Sequence, residues 1–131
     1  MTSSGSNQSR ILDSGLGWRI GWNPQAKKFK GLVGTDDWAI ELTEVELDDF
    51  CRLLEQLSKT MSHMVAELMH EEKITCEAET DQLWMQAEGY PTDYGLQFML
   101  KQGRRAEGCW SSQVVPELLR AAQIQMAQKK M

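Results

Sequence analysis

The interval at which apolar residues recur changes three times along this 131-residue chain, and those changes constrain its fold more than any other feature. Apolar and polar residues first alternate one by one, as in GWRIGWNP (17–24), which is the side-chain period of a β-strand. From Glu44 the spacing becomes three and four residues, which is typical of a helix. Alternation returns at Ile74, and helical spacing returns near Val114. The pattern predicts two units, each with several short strands followed by one helix.

The first unit contains three strand-like runs, separated by the turn-forming strings NPQA and GTDD. The runs cover 17–24, 27–35 and 37–43. The helix is predicted from Glu44 to about His70, and Thr43 with Glu46 matches a capping box at its start. The apolar residues that define this helix are Leu47, Phe50, Leu54, Leu57, Met61, Met64 and Leu68.

The second unit repeats this plan with four strand-like runs and a shorter helix. The runs cover 74–80, 83–90, 94–101 and 104–110. The helix is predicted from about Val114 to Gln128, with Ser111 or Ser112 as its N-cap and Pro116 in or near its first turn. The apolar stripe of this helix consists of Val115, Leu118, Leu119, Ala122 and Met126.

Each strand-like run divides into an apolar and a polar face. The apolar face carries Trp18, Ile20, Trp22, Phe29, Val33, Trp38, Ile40, Leu42, Ile74, Cys76, Ala78, Leu83, Met85, Ala87, Tyr94, Leu96, Phe98, Leu100, Ala106 and Trp110. We therefore predict an α+β fold in which the two strands-then-helix units build an antiparallel sheet with one face covered by the helices. Trp18 and Trp22 belong to the inner face, with a dimer contact or a binding surface as the alternative role for their rings.

Length and composition fit a single domain that is preceded by a polar N-terminal tail. MTSSGSNQSR (1–10) is predicted to be a disordered tail and 11–131 a single domain, with its units at about 11–71 and 72–131. The sequence shows neither a signal peptide nor a stretch of about 18 apolar residues that could span a membrane. We therefore expect a cytoplasmic protein without a membrane partner.

The cysteines argue against a zinc site or a disulfide framework, because they are odd in number and no two form a CxxC pair. Their spacing suits a reducing compartment. The three residues are Cys51, Cys76 and Cys109.

The first helix is long enough to imply a partner. About 27 residues give a helix near 40 Å, whereas a domain of this size has a radius of gyration of about 14 Å. A kink or an early end near Ser62 and His63 is one interpretation. We favour a homodimer in which the far half of the apolar stripe packs on a second copy. The predicted dimer contact consists of Leu57, Met61, Met64 and Leu68.

Three patterns could carry chemistry, and each has a structural interpretation that we prefer. His63, Glu67 and His70 share a helix face that could present metal ligands, but we interpret them as part of a solvated polar face, because two histidines are few and no third ligand is evident. The alternating row of Glu77, Glu79 and Asp81 is interpreted as exposed acidic residues of a strand. Cys51 lies among apolar helix positions, which indicates a core residue and not a nucleophile. We predict no enzyme, no cofactor and no metal.

Two aromatic residues, Trp84 and Tyr90, fall on the outer face, where exposed rings could stack on nucleobases. The basic residues predicted to accompany them are Arg19, Lys28, Lys30, Lys101 and Arg105. The same face carries seven acidic residues, which are Asp37, Glu41, Glu77, Glu79, Asp81, Glu88 and Glu107. Nucleic-acid binding would therefore require the basic residues to be separated in space from the acidic ones. The formal net charge of −5 also counts against a general polyanion binder.

The strings GWRIGWNP, FKGLVGTDDWAIELTEVELDDFCRLLEQL, EEKITCEAETDQLWMQAEGYP and GRRAEGCW resemble a cyanobacterial family called domain of unknown function 1818, over residues 11–126. The family brings no activity with it. Its fold is similar to that of the Whirly and transcriptional-coactivator superfamily of single-stranded-DNA-binding regulators. The resemblance implies strands-then-helix units and subunits that associate through helices. The basic KGKAA-type motif of the Whirly proteins has no clear counterpart here, and KKFKG (27–31) is only loosely similar to it.

The sequence therefore leaves two functions open. The preferred one is a non-catalytic homodimeric interaction or assembly protein. The alternative is a regulator-like protein that binds single-stranded nucleic acid. It is the alternative because it rests on fold similarity, which is only an analogy for function.

Overall fold

In the computed structural model, residues 10–67 and 72–129 are described, and they form two four-stranded antiparallel sheets and two helices. The elements are β1 (Ile11–Gly15), β2 (Trp18–Trp22), β3 (Gly31–Gly34), β4 (Ala39–Leu42), α1 (Glu44–Glu67), β5 (Ile74–Glu79), β6 (Leu83–Tyr90), β7 (Asp93–Leu100), β8 (Glu107–Trp110) and α2 (Val115–Lys129). The predicted α+β class and the two strands-then-helix units are confirmed. The tail predicted at 1–10 lies outside the described residues except for Arg10.

Each unit forms its own sheet, with the strands in sequence order. Alternation along a strand identifies its two faces but not its hydrogen-bonding neighbours, so the sequence pattern did not distinguish one sheet from two. The structure also contains a strand that the pattern did not predict. β1 pairs with β2 so that Ile11 is opposite Trp22 and Gly15 is opposite Trp18. Asp13 and Gly15 occupy the inward positions of β1, which hides its alternation.

The start of α1 is capped as predicted. The Glu46 amide donates to Thr43 Oγ1 over 3.2 Å, and the Thr43 amide donates to Glu46 Oε1 over 2.9 Å. The helix continues past His63 to Glu67 and so does not end early, as one interpretation allowed. The cap predicted for α2 is wrong. That helix begins at Val115, and Ser111 lies in the preceding turn, where its carbonyl accepts the Val114 amide.

Each of the two helices packs mainly against the sheet of the other unit. α1 packs mainly against β5 and β6 of the second sheet, and α2 packs mainly against β2 of the first. The helices also contact each other. Each sheet is therefore covered largely by the helix of the other unit. In the part of the chain described here, neither helix has the length and apolarity that a membrane span requires.

The predicted division into inner and outer faces agrees with the structure except at Phe29, which was predicted on the inner face but lies in the β2–β3 loop beneath Lys28 and Arg104. Ile20, Val33 and Phe98 are fully buried, and Trp18 is only 8% exposed. The polar-face residues Glu77 and Glu88 are exposed. The apolar alternation therefore placed the core correctly, and Trp18 belongs to it.

Four tryptophans join the two units. Trp18 Nε1 donates to Glu117 Oε1 of α2 over 2.9 Å, and Trp110 Nε1 donates to the Gly34 carbonyl of β3 over 2.9 Å. The Trp38 ring packs against the Trp110 ring with centroids 5.2 Å apart. The fourth ring is that of Trp22, and its centre lies 4.1 Å from Nζ of Lys129 at the end of α2.

Cys51 is part of the same core, at 5% exposure on α1. Burial raises the pKa of its thiol to about 12; Lys129 opposes this shift, and the charges of Asp48 and Glu55 add to it. A thiol that stays protonated is a poor nucleophile. The interpretation of Cys51 as a core residue is confirmed.

Replacement of the interior indole should destabilise the protein far more than the same change at the surface. Trp110→Phe removes a buried donor from the Gly34 carbonyl and leaves a small cavity, so we expect a loss of about 2–4 kcal/mol. Trp84→Phe, on the outer face, should cost under about 1 kcal/mol. Urea unfolding followed by circular dichroism measures both. Equal losses would contradict the role assigned to Trp110.

The Cys51 thiol should resist modification in the native protein. With Ellman's reagent at pH 8, exposed Cys109 should react quickly and Cys51 only after unfolding. Because the pKa of Cys51 is raised on folding from 9.0 to about 12, its contribution to stability is complete below pH 9 and is lost as the pH rises towards 12. Cys51→Ala should lack this alkaline component. Native labelling of Cys51 at the rate of Cys109 would disprove its burial.

Candidate functional site

The basic residues predicted from the sequence lie mainly in two loops that touch. The β2–β3 loop carries Lys27, Lys28 and Lys30, and the β7–β8 loop carries Lys101, Arg104 and Arg105. The Arg104 guanidinium carbon lies 4.5 Å from the centre of the Phe29 ring, and Lys28 Nζ lies 5.2 Å from the same centre. We call these six cations and Phe29 the two-loop cluster.

Arg104 anchors the β7–β8 loop to β4 and α1. Its guanidinium group donates to the main-chain carbonyl of Glu41 and to Glu46 Oε1. Glu46 is 4% exposed and also caps α1, so this ion pair is shielded from water on the carboxylate side. The sequence placed Arg105 at the surface, where it is exposed with φ +54°, but it did not distinguish the structural role of Arg104. Both arginines lie in one turn, and no sequence signal shows which of them is structural and which is exposed.

Two of the predicted binding cations are engaged by the protein itself. Arg19 donates to the carbonyls of Thr35 and Trp38 over 2.7 and 2.9 Å, which ties down the β3–β4 turn. Lys101 Nζ donates to Glu79 Oε2 over 2.7 Å and to the Thr80 carbonyl over 3.0 Å.

The other three predicted cations are less constrained. Lys30 Nζ lies 4.0 Å from Glu44 Oε1, at the limit of an ion pair. Lys28 and Arg105 form no salt bridge with any residue in 10–67 or 72–129, and neither does the neighbouring Lys27, so these three cations are accessible to a partner.

The structure places Trp84 and Tyr90 among carboxylates of the second sheet. Trp84 stands opposite Glu79 on one neighbouring strand and Met99 on the other, and its Nε1 lies 3.4 Å from Glu77 Oε1. Tyr90 is at the far end of β6, about 23 Å by strand rise from the end beside the β7–β8 loop. The predicted surface is therefore divided into basic loops and an acidic sheet face that carries these aromatic rings.

The predicted dimer contact is wrong at two of its four residues. Leu57 is 2% and Met61 0% exposed in the isolated chain, because α1 packs against the second sheet. Met64 is half-buried. Leu68 lies outside the described residues.

The other candidate chemistry does not form a site. His63 is exposed, and the side chains of Glu67 and His70 lie outside the described part of the structure. Among the residues described, no three His, Cys, Asp or Glu side chains are grouped to hold a metal ion. Glu77, Glu79 and Asp81 are exposed, as expected for a solvated row.

A shallow groove of about 300 Å³ lies beside the two-loop cluster, on the outer face of the first sheet. Leu12, Gly21 and Leu32 form its floor, and Phe29 and Lys30 belong to its wall and mouth. Sequence reasoning did not predict this groove, since β1 was not recognised as a strand.

The comparisons with known proteins support the DUF1818 part of the sequence resemblance. A crystal structure of a protein of unknown function from the DUF155 family of Prochlorococcus sp. NATL2A is similar to this chain, with 28% identity and a TM-score of 0.83. The similarity covers 88% of this chain and 97% of that one. No curated protein matches the sequence. The model of the domain of unknown function family DUF1818 matches residues 13–125, and the chain therefore belongs to the DUF1818 family.

Proposed function

We propose that this protein is a non-catalytic interaction protein that assembles as a homodimer in the cytoplasm. The observation that carries the proposal is the exposure of two leucines on one edge of the first sheet. Leu12 on β1 is 54% exposed, and Leu16 in the following turn is 87% exposed. Within the described residues β1 pairs only with β2, so its other edge has open backbone groups. Open edges with apolar side chains are surfaces on which strands of other chains pair.

A second copy of the chain fits this edge. Antiparallel pairing of β1 with its symmetry mate, centred on Leu12, brings the two Leu12 side chains together and sets Arg10 opposite Ser14. The result is a two-fold symmetric contact that extends the sheet from four strands to eight. It replaces the α1 contact, because Leu57 and Met61 are already buried.

The buried candidate nucleophile supports a non-catalytic role. Cys51 is held in the core with its pKa raised by burial. The cytoplasmic assignment is supported by the free state of all three cysteines, one of which, Cys109, is exposed.

The dimer is tested by sedimentation velocity from 1 to about 100 μM, a range in which weak homodimers dissociate. Wild type should form a dimer within this range. The double variant Leu12→Ser/Leu16→Ser should sediment as the 14.9 kDa monomer, because the apolar contact is lost. Ile124→Ser, at an exposed position on α2, is the matched control and should remain dimeric. A wild type that stays monomeric throughout would remove the homodimer from the proposal.

The alternative function, binding of single-stranded nucleic acid, is favoured by the two-loop cluster. Six cations lie in two loops that contact each other through Arg104 and Phe29, away from Glu88 and Tyr90 at the far end of the second sheet. Lys27, Lys28 and Arg105 form no ion pair within the described residues, and they are the cations that support this alternative. The proposed likeness to Whirly proteins would agree with it.

A labelled single-stranded oligonucleotide titrated at several salt concentrations tests this alternative. Binding should weaken steeply with salt, and each phosphate contact removed by Lys28→Gln, Lys30→Gln or Arg105→Gln should reduce the salt slope by about 1. Lys59→Gln on the exposed side of α1 is the control and should leave the slope unchanged. Absent binding, or binding that is independent of salt, would exclude the nucleic-acid function.

A further inference from the structure

The groove on the outer face of the first sheet combines an apolar row with a polar row. Leu12 pairs with Gly21, Gly21 with Leu32, and Leu32 with Glu41, so these four residues form one line across the sheet. Two positions further along the same face stand Arg10, Asn23 and Lys30. The two rows are about 7 Å apart by strand rise.

The β2–β3 loop completes the groove. Ala26 and Phe29 line it from the side of the loop. The Asn23 side chain is held by its Oδ1, which accepts the Gln25 amide over 3.1 Å. The groove therefore has an apolar floor, an aromatic wall and polar groups at one end.

Gly21 keeps the floor open. A Cβ at this position would lie 3.0 Å from Leu12 Cδ1 and 3.8 Å from Leu32 Cβ. A side chain here would fill the space between the two leucines or push Leu12 aside. The groove depends on the absence of that side chain.

Charge favours an anion at the polar end. Arg10 and Lys30 stand there, whereas Glu41, the only carboxylate that the described residues contribute to the lining, lies at the other end of the apolar row on β4. Lys30 is 4.0 Å from Glu44, and both side chains are partly exposed, so this ion pair is weak and Lys30 can turn to a ligand. The volume of about 300 Å³ is at the lower end for small-molecule sites, which limits the ligand's size.

We propose that this groove binds a small amphipathic carboxylate, with its apolar body along Leu12 and Leu32 and its carboxylate between Arg10 and Lys30. The apolar body could be an alkyl chain or an aromatic ring, since both fit the leucine floor and the Phe29 wall. The site is additional to the interaction function proposed above and does not require a second copy of the chain.

The test is a calorimetric titration of the protein with decanoate and, separately, with 1-naphthoate. One or both should bind saturably at one site per chain, and the stronger of the two identifies the class of apolar body. Decanol and 2-naphthol, which lack the charge, should bind at least about tenfold more weakly. Amide shifts of Gly21 and Gly31 in nuclear magnetic resonance spectra should change on addition of the carboxylate.

Variants locate the site. Arg10→Gln/Lys30→Gln should weaken binding by about tenfold or more, because it removes both charge-assisted hydrogen bonds. Gly21→Ala should also weaken it by narrowing the floor, whereas Lys59→Gln should have no effect. Circular dichroism confirms that each variant is folded.

No saturable binding of either carboxylate, or binding that neither the charge variant nor Gly21→Ala weakens, would overturn the proposal. The Leu16→Ser variant distinguishes a failure of the groove proposal from a failure of the dimer proposal. A monomeric Leu16→Ser protein that still binds would support the groove irrespective of the dimer, and a dimeric wild type without binding would refute the groove alone.

Discussion

The packing of each helix mainly against the sheet of the other unit is the constraint on which the rest of the structure depends. α1 packs mainly on the second sheet and α2 mainly on the first, although α1 also contacts β3 and β4, so the burial of each apolar sheet face is completed by the helix of the other unit. Large rings stand where the units meet, because burial of an indole contributes more contact area than any other side chain. Trp18, Trp22 and Trp110 each reach across to the other unit with a polar or cationic partner. The two units are thereby coupled into one cooperative core.

Arg104 couples the same units at their polar rim. Its partner Glu46 already accepts the Thr43 amide, so one buried carboxylate both begins α1 and anchors the β7–β8 loop. A buried carboxylate without a cation would be costly, which explains why Arg104 is held so closely. The accumulation of cations beside Phe29 follows from this packing. Part of the two-loop cluster is therefore structural, and Lys27, Lys28 and Arg105 are its members that form no ion pair within the described residues.

The sequence was sufficient to predict what depends on local periodicity. Alternation identified the inner faces and seven of the eight strands, and the capping box placed the start of α1 at the correct residue. β1 was not predicted because its inward positions include Asp13 and Gly15. These residues break the apolar alternation, and β1 can tolerate them because it is an edge strand.

The candidate site was harder to predict because it depends on contacts distant in sequence. Arg104 and Arg105 are adjacent, but only the folded chain shows that one of them reaches Glu46. The position of Tyr90 at the end of β6 that is distant from the β7–β8 loop likewise follows from strand register. Strand phase correctly placed Trp84 on the outer face, but it could not show which charges would surround the ring.

The length of α1 shows how a correct observation led to a wrong contact. A helix of 24 residues is about 36 Å long and does exceed the width of one small sheet. The sequence argument compared this length with the radius of gyration of a domain of this size and assigned the far half of the helix to a second copy. The second sheet covers that half instead, which buries Leu57 and Met61 within the chain. Because α1 is packed within the chain, the exposed apolar residues Leu12 and Leu16, which lie together on the edge strand β1 and its turn, are a more suitable contact for a second copy. Self-association of this fold is therefore expected to extend the first sheet and not to pair the long helices.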